Sequence, residues 1–101
     1  MGIVYSVTSY KMVLSRTDIS SMKEKIVRSE GRGWKKIERS EFTNMSNARI
    51  FLEGRRPKAR IDEKEDGFCE VTFFVLCEEQ KGYDGEIIRN DVLNMALPDQ
   101  K

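Results

Sequence analysis

Histidine is missing from the 101-residue chain, and cysteine and proline occur only twice each. Histidine is the commonest general base and the commonest metal ligand, and its absence excludes every Ser-His or Cys-His nucleophile arrangement. No segment approaches the roughly 18 consecutive apolar residues that a membrane-spanning helix needs. The segment from Met1 to Leu14 is interrupted by polar residues and lacks the pattern of a secretory signal. We therefore expect a protein that does not associate with membranes and lies in the cytoplasm, or in the nucleus of a eukaryotic host.

The two cysteines are predicted to be buried structural thiols. Residues 68–78 alternate as a strand, which places Cys69 and Cys77 on one face but about 26 Å apart, at about 3.3 Å per residue. A disulfide requires Cα atoms within about 7 Å, so these cysteines neither bridge each other nor share a zinc ion. The sequence thus predicts no metal and no cofactor.

Two features that resemble catalytic motifs lack the required context. The 17 acidic residues lie mostly in charge runs such as 62–66, and such runs are usually solvated loops. Gly31 and Gly33 form a lone G-x-G that follows a predicted helix, whereas a phosphate-binding loop opens one. We therefore expect no catalytic residues and no enzymatic activity.

The length of the chain suits one domain covering residues 1–101, with one hydrophobic core. Charged residues make up 35% of the chain, compared with about 25% in an average globular protein, which indicates a heavily solvated surface. Apolar residues nevertheless concentrate in patterned runs, so we do not expect a disordered chain.

The N-terminal part predicts a strand followed by a helix. Residues 3–14 alternate as a strand whose apolar phase shifts midway, which suggests a bulge near Thr8 or Ser9. Thr17 is the expected N-cap of a helix, because apolar residues then recur at helical spacing. Gly31 is the expected end of that helix.

The middle of the chain predicts four more strands. Residues 34–42 alternate poorly, which suits an edge strand, and residues 48–53 alternate as the next strand. Residues 58–62 form a short strand, and a turn at 64–67 connects it to the most regular strand, 68–78. One face of 68–78 is apolar without interruption and the other is mostly apolar, which indicates a position in the middle of a sheet.

The C-terminal region is open to two interpretations. A helix over 88–96 that ends before Pro98 is favoured, and a last strand over 85–90 is the alternative. With the helix, the order is β-α-β-β-β-β-α, an α+β fold in which an antiparallel sheet of four to five strands is packed on one face by one or two helices. Such sheets serve many unrelated functions, so the fold class does not select one.

The net charge of +1 hides a strong asymmetry along the chain. Residues 28–60 carry ten basic and four acidic side chains, whereas residues 61–101 carry four basic and eleven acidic ones. Three interpretations remain open. In the first, the charges neutralise each other within the fold, with Lys58 and Arg60 facing Glu70 across a strand pair. In the second, the basic segment binds nucleic-acid phosphates, and in the third it docks on a protein partner of complementary charge.

A protein partner is favoured over nucleic acid. The pI of 7.7 lies below the value of about 9 that nucleic-acid-binding domains commonly exceed, and no nucleic-acid-binding motif is present. A small, histidine-free, highly charged domain is also similar in general style to the compact inhibitors and accessory proteins of phages and mobile elements. Exposed aromatic and arginine side chains commonly anchor interfaces, so the candidate anchors are Trp34, Arg55 and Arg56. The full set of candidate contact residues is Trp34, Arg49, Arg55, Arg56, Lys58 and Arg60. For Trp34, the alternative is a core anchor where the helix meets the sheet.

Overall fold

The computed structural model describes residues 2–99, in which five strands form one antiparallel sheet and two α-helices pack on it. In chain order the elements are β1 (Gly2–Ser15), α1 (Met22–Ser29), β2 (Lys35–Phe42), α2 (Met45–Arg55), β3 (Arg60–Glu63), β4 (Phe68–Lys81) and β5 (Ile87–Ala96). Short 3-10 helices precede α1 and follow α2, at Arg16–Ser21 and Arg56–Lys58. The predicted α+β class and antiparallel sheet are confirmed, although two of the predicted elements are of the wrong type.

The sheet is organised around two long strands that lie side by side. β1 and β4 pair without interruption over 14 residues each, from Gly2 opposite Lys81 to Ser15 opposite Phe68. β2 flanks β1, as expected for an edge strand. On the other side of β4, β3 pairs with its first half and β5 with its second half. The fold is therefore elongated, with principal extents of 46 × 25 × 20 Å.

The predicted central strand is confirmed, since β4 has neighbours on both sides. Val71, Phe73 and Val75 are buried on one face of this strand. They form a cluster with Met22 and Ile26 of α1, which is the contact expected between this strand and the first helix. The core of this half of the molecule therefore follows directly from the alternation of β4.

The two helices lie on opposite faces of the sheet, whereas the sequence predicts helices on one face. Leu52 of α2 packs with Val7 and Leu76. Ile26 of α1 packs with Leu14. Because side chains alternate between faces along a strand, Val7 and Leu14 of β1 point to opposite sides. The chain thus has two separate core clusters, one under each helix.

This arrangement also explains the phase shift within β1, which the sequence attributes to a bulge near Thr8 or Ser9. That bulge is wrong for β1, whose pairing with β4 is continuous. The apolar residues change phase because α2 covers the face of Val7 while α1 covers the face of Leu14. A register shift does occur at this level of the sheet, but it lies in β2, where Ile37 is the extra residue.

The strand predicted at 48–53 is wrong, because these residues belong to α2. Asn44 caps this helix, and its Oδ1 accepts hydrogen bonds from the backbone N–H groups of Ser46 and Asn47 at 2.7 and 3.2 Å. Ala48 and Leu52 are buried at the helical spacing of four. The intervening apolar residue of the predicted strand pattern, Ile50, is 71% exposed.

The helix favoured over 88–96 is also wrong, and the alternative of a last strand is closer to the structure. β5 is joined to β4 by a tight hairpin, in which the Gly82 N–H donates to the Glu86 carbonyl at 2.8 Å. Gly85 provides the positive φ angle, 80°, that the turn requires. The second half of β4 would otherwise lack a partner on this side, so the sheet selects the strand.

The boundaries of the first helix differ slightly from the prediction. The helical region begins at Arg16 with the 3-10 helix that precedes α1. Ser15 caps that 3-10 helix, and its side chain accepts a hydrogen bond from the Thr17 N–H at 3.3 Å. The helix ends at Glu30, which adopts a left-handed conformation with φ of 51°, directly before the predicted stop at Gly31.

Candidate functional site

The predicted basic contact residues do not form a free cationic surface. The Arg55 guanidinium stacks 4.3 Å above the centre of the Phe51 ring. Arg56 donates two hydrogen bonds to Glu53, at 2.9 and 2.8 Å. Arg60 is paired with Asp62 at 3.0 Å. Each of these three arginines therefore contacts a side chain two to four residues away in the sequence.

The remaining basic candidates are Arg49 and Lys58, and both are exposed. Within residues 2–99, neither takes part in a salt bridge. Arg49 lies on the outer side of α2, beside the exposed Ile50. Among the described residues, Arg49, Arg55 and Lys58 therefore have no carboxylate partner, whereas Arg56 and Arg60 do.

Trp34 lies in the position of a core anchor. Its indole ring contacts Tyr10 and Phe73, with ring centroids 5.1 Å apart in both cases. Its Nε1 donates a hydrogen bond to the Ser29 Oγ at 2.7 Å. Half-buried between the end of α1 and the sheet, Trp34 supports the core and forms part of a groove described below.

Internal neutralisation accounts for much of the charge asymmetry, although the partners differ from those expected. Glu70 pairs with Lys11 at 3.4 Å and with Lys64 at 4.0 Å. Arg60 lies opposite Thr72 in the sheet and not opposite Glu70. The acidic C-terminal segment is thus neutralised in part by strand β1, outside the basic segment 28–60.

One buried carboxylate, that of Glu79, was not predicted from the sequence. Glu79 is only 4% exposed, and Arg39 binds it through two hydrogen bonds of 2.8 and 3.1 Å. Ser6 donates a third at 3.0 Å. Arg39 also contacts Glu41, which accepts a hydrogen bond from Lys81. We call these five residues the Glu79 network.

The Glu79 network contains one carboxylate with a lowered pKa and one that ends an apolar alternation. The hydrogen bond from Lys81 and the charge of Arg39 lower the pKa of Glu41. Glu79 continues the apolar alternation of β4 by one further place, on the face that α1 covers farther along. A charged residue at the end of an apolar pattern usually marks the surface, so periodicity alone could not identify it.

An apolar groove lies next to this network, between α1 and β5. Its floor is built from Tyr10, Trp34, Val75, Cys77 and Met95, and its volume is about 520 Å³. Val27 of α1 and Val92 of β5 form the two sides, and they are 50% and 53% exposed. Side chains of this kind are normally covered in a core, so the groove presents an unfilled apolar surface.

Strand β5 extends this apolar surface to the edge of the sheet. Four of its aliphatic side chains are at least 42% exposed: Ile87, Ile88, Val92 and Leu93. Its inner side pairs with β4, and no strand among residues 2–99 pairs with its outer side. We call the groove together with the outer side of β5 the α1–β5 surface.

The thiol in the floor of this groove is poorly suited to nucleophilic chemistry. Burial, together with the nearby Glu79 carboxylate, raises the pKa of Cys77 to about 11. Cys69 is fully buried, and both cysteines are free. Because the thiolate is the reactive form, neither cysteine resembles an activated nucleophile.

This environment predicts slow alkylation of the native protein by iodoacetamide. With a pKa of about 11, roughly one Cys77 thiol in a thousand is ionised at pH 8, compared with about a quarter of free cysteine thiols. The rate should rise about tenfold per pH unit between pH 7 and 9. Mass spectrometry of a Cys69→Ser variant follows Cys77 alone, and a rate equal to that of free cysteine would contradict the assignment.

Two further properties of the described residues concern metal ions and membranes. Across the described part of the chain, no group of three or more Cys, Asp or Glu side chains is arranged to hold a metal ion. No helix within residues 2–99 is both long enough and apolar enough to cross a bilayer.

Comparisons of the chain with protein families, curated proteins and solved structures found no match.

Proposed function

We propose that this chain is a non-catalytic protein-binding module that docks on its partner through the α1–β5 surface. The observation that carries the proposal is that two half-exposed valines, Val27 and Val92, line one largely apolar groove. Burying such side chains against a partner removes apolar area from water, at about 25 cal/mol per Å². An inhibitor or accessory role, of the kind that its size and composition suggest, would act by occupying a partner's surface in this way.

The edge of β5 adds a second source of affinity. An exposed edge strand presents free backbone N–H and C=O groups, and a partner strand satisfies them by extending the sheet. Here the edge and the groove share Val92, so one bound segment would contact both. The combination of backbone hydrogen bonds and a side-chain groove is typical of strand-addition sites.

The basic segment 28–60 offers weaker support for docking than its sequence suggests. Arg55 and Arg56 are partly buried against Phe51 and Glu53, while Arg49, Lys58 and Arg60 are exposed, the last in a surface pair with Asp62. Fewer available charges also reduce the support for nucleic-acid binding, since that affinity depends on the number of phosphates neutralised. Trp34 contributes to the proposed surface through the groove floor, and not as an exposed anchor.

Affinity capture with matched variants tests the proposal. The tagged chain is incubated with nuclease-treated extract of its native host, and retained proteins, including untagged copies of the chain, are identified by mass spectrometry. Val27→Glu and Val92→Glu place a charge on either side of the groove, and each should reduce the retained partner about tenfold or more, because an unpaired charge is costly to bury. Circular dichroism melts confirm that each variant is folded.

Ile50→Glu is the matched control, because Ile50 is an exposed aliphatic residue on the outer side of α2, beside Arg49. It should retain the partner as the unmodified chain does. If Ile50→Glu loses the partner while both groove variants keep it, the α2 surface is the docking site and the proposal is wrong. Recovery that disappears with nuclease would instead support the nucleic-acid alternative.

A further inference from the structure

We infer that the β5 edge of this surface pairs with a second copy of the chain, by antiparallel pairing of β5 with β5 about a two-fold axis at Asn90, which leaves the groove beside Val27 open to a further partner. This inference rests on the proposed function, since it assigns an occupant to the same edge. The two sheets would then form one continuous sheet of ten strands. An isologous contact of this kind closes on itself and does not propagate into a filament.

The sequence of β5 is complementary to itself about Asn90. Pairing about this residue places Arg89 opposite Asp91 of the second copy, and Asp91 opposite its Arg89. One step farther out, Ile88 faces Val92, so an apolar residue meets an apolar residue. Directly opposed residues of opposite charge, or of β-branched apolar character, stabilise antiparallel strand pairs.

Neighbouring registers lack this complementarity. An axis at Arg89 would oppose two like charges and place Ile88 against Asn90, and an axis at Asp91 would oppose two carboxylates. An axis between Asn90 and Asp91 would place Arg89 against Val92. Like charges directly opposite each other are destabilising, so the charges select one register.

The side-chain directions agree with this arrangement. Arg89 and Asp91 lie on the same face and are paired within the strand at 2.8 Å. In the dimer, they and their symmetry mates would form a four-membered charge cluster. Asn90 and Val92 point to the groove face, since they pair with Glu79 and Cys77. A two-fold axis perpendicular to the sheet would therefore bring the two grooves to the same side.

The irregularities of β5 limit the length of this pairing. The register of β5 against β4 shifts at Ile88 and again at Leu93, so Arg89 to Val92 is regular and the pairs of Ile88 with Val92 lie at the ends of the contact. Bulges terminate pairing locally, so the regular contact is short. We therefore expect a reversible dimer whose population depends on concentration.

Charge reversal with purified protein tests the inference. Sedimentation velocity over a concentration series should show the unmodified chain approaching twice its mass of 11.7 kDa. Arg89→Asp opposes two carboxylates at each of two positions, and Asp91→Arg opposes two arginines. Each variant alone should self-associate about tenfold more weakly or worse. Mixed in equal amounts, the two variants are complementary and should form a dimer again.

The mixing step separates an interface from a merely structural effect. Both variants lose the ion pair within the strand, so a structural role for that pair predicts no recovery on mixing. A double variant with both changes, whose charges are exchanged but still complementary, should dimerise like the unmodified chain. NMR spectra of each variant confirm that its monomer is folded.

Two outcomes would overturn the dimer. In the first, the purified chain remains monomeric at near-millimolar concentration. In the second, it dimerises, but neither single charge reversal weakens the association. The proposed function fails separately, because it depends on the capture results for Val27→Glu and Val92→Glu. A monomeric chain whose groove variants lose a host protein would refute self-pairing and support docking on a different partner.

Discussion

Replacing Phe73 with alanine is expected to lower the free energy of unfolding by about 3–5 kcal/mol, the range observed for buried phenylalanine. Phe73 is fully buried in the middle of β4, where it contacts the rings of Tyr10 and Trp34 and packs with the cluster under α1. The smaller side chain leaves a cavity that neither the sheet nor the helix can readily close. Urea unfolding followed by tryptophan fluorescence measures the change.

Phe68→Ala is the control for this substitution. Phe68 begins the same strand and is 45% exposed, so its truncation should cost about 1 kcal/mol or less. Equal losses for the two variants would contradict the assignment of Phe73 to the core. A loss below about 1 kcal/mol for Phe73→Ala would have the same meaning.

Replacing Arg39 with methionine should destabilise the protein by about 2–4 kcal/mol. The change removes two of the three hydrogen bonds to Glu79 and leaves a carboxylate that is 4% exposed without its cation. Breaking a buried ion pair on one side costs about 3–5 kcal/mol, and the value is reduced here because Arg39 is itself one-quarter exposed. Chemical denaturation at neutral pH measures the loss.

A double-mutant cycle distinguishes this buried pair from an ordinary surface contact. Arg39→Met combined with Glu79→Met removes both charges, and the double variant should recover most of the stability lost by Arg39→Met. Arg60→Met removes the exposed pair with Asp62 and should change stability by about 0.5 kcal/mol or less. Strictly additive losses in the cycle would show that Arg39 and Glu79 do not stabilise each other.

Alternation along a strand was the most reliable guide to this fold. It correctly placed β4 at the centre of the sheet, because both faces of that strand are apolar over many residues. It failed for 48–53, where apolar residues at positions 48, 50 and 52 also fit a helix that buries only Ala48 and Leu52. Short segments of this kind satisfy both periods, and here the cap at Asn44 favours the helix.

The helix predicted for the C-terminal segment was wrong for a different reason. The positions of Ile88, Val92 and Met95 fit a helical period, and no neighbouring residue in the sequence excludes a helix. The strand is favoured because the second half of β4 has no partner on one side until β5 pairs with it. Tertiary context of this kind overrides local propensity and is not visible in the segment itself.

The proposed docking surface was the feature least accessible to sequence reasoning. The density of basic residues along the chain made Arg55 and Arg56 candidate contact residues. That density does not show which side chains contact one another in the folded protein. The groove combines residues of β1, α1, β4 and β5, so it exists only after the sheet has formed. Its most informative residues, Val27 and Val92, are ordinary aliphatic side chains whose exposure depends on the fold.

The pairing of β1 with β4 has a consequence for how the protein is made. Gly2 at the start of β1 aligns with Lys81 at the end of β4, so β1 cannot acquire its main partner until β4 has emerged from the ribosome. Before that, β1 can contact β2 and the two helices but not its longest partner strand. Contacts that close such long loops slow folding, and the waiting strand exposes Val7 and Leu14 in the meantime. The central sheet should therefore form only after β4 has been synthesised, and not while β1 emerges.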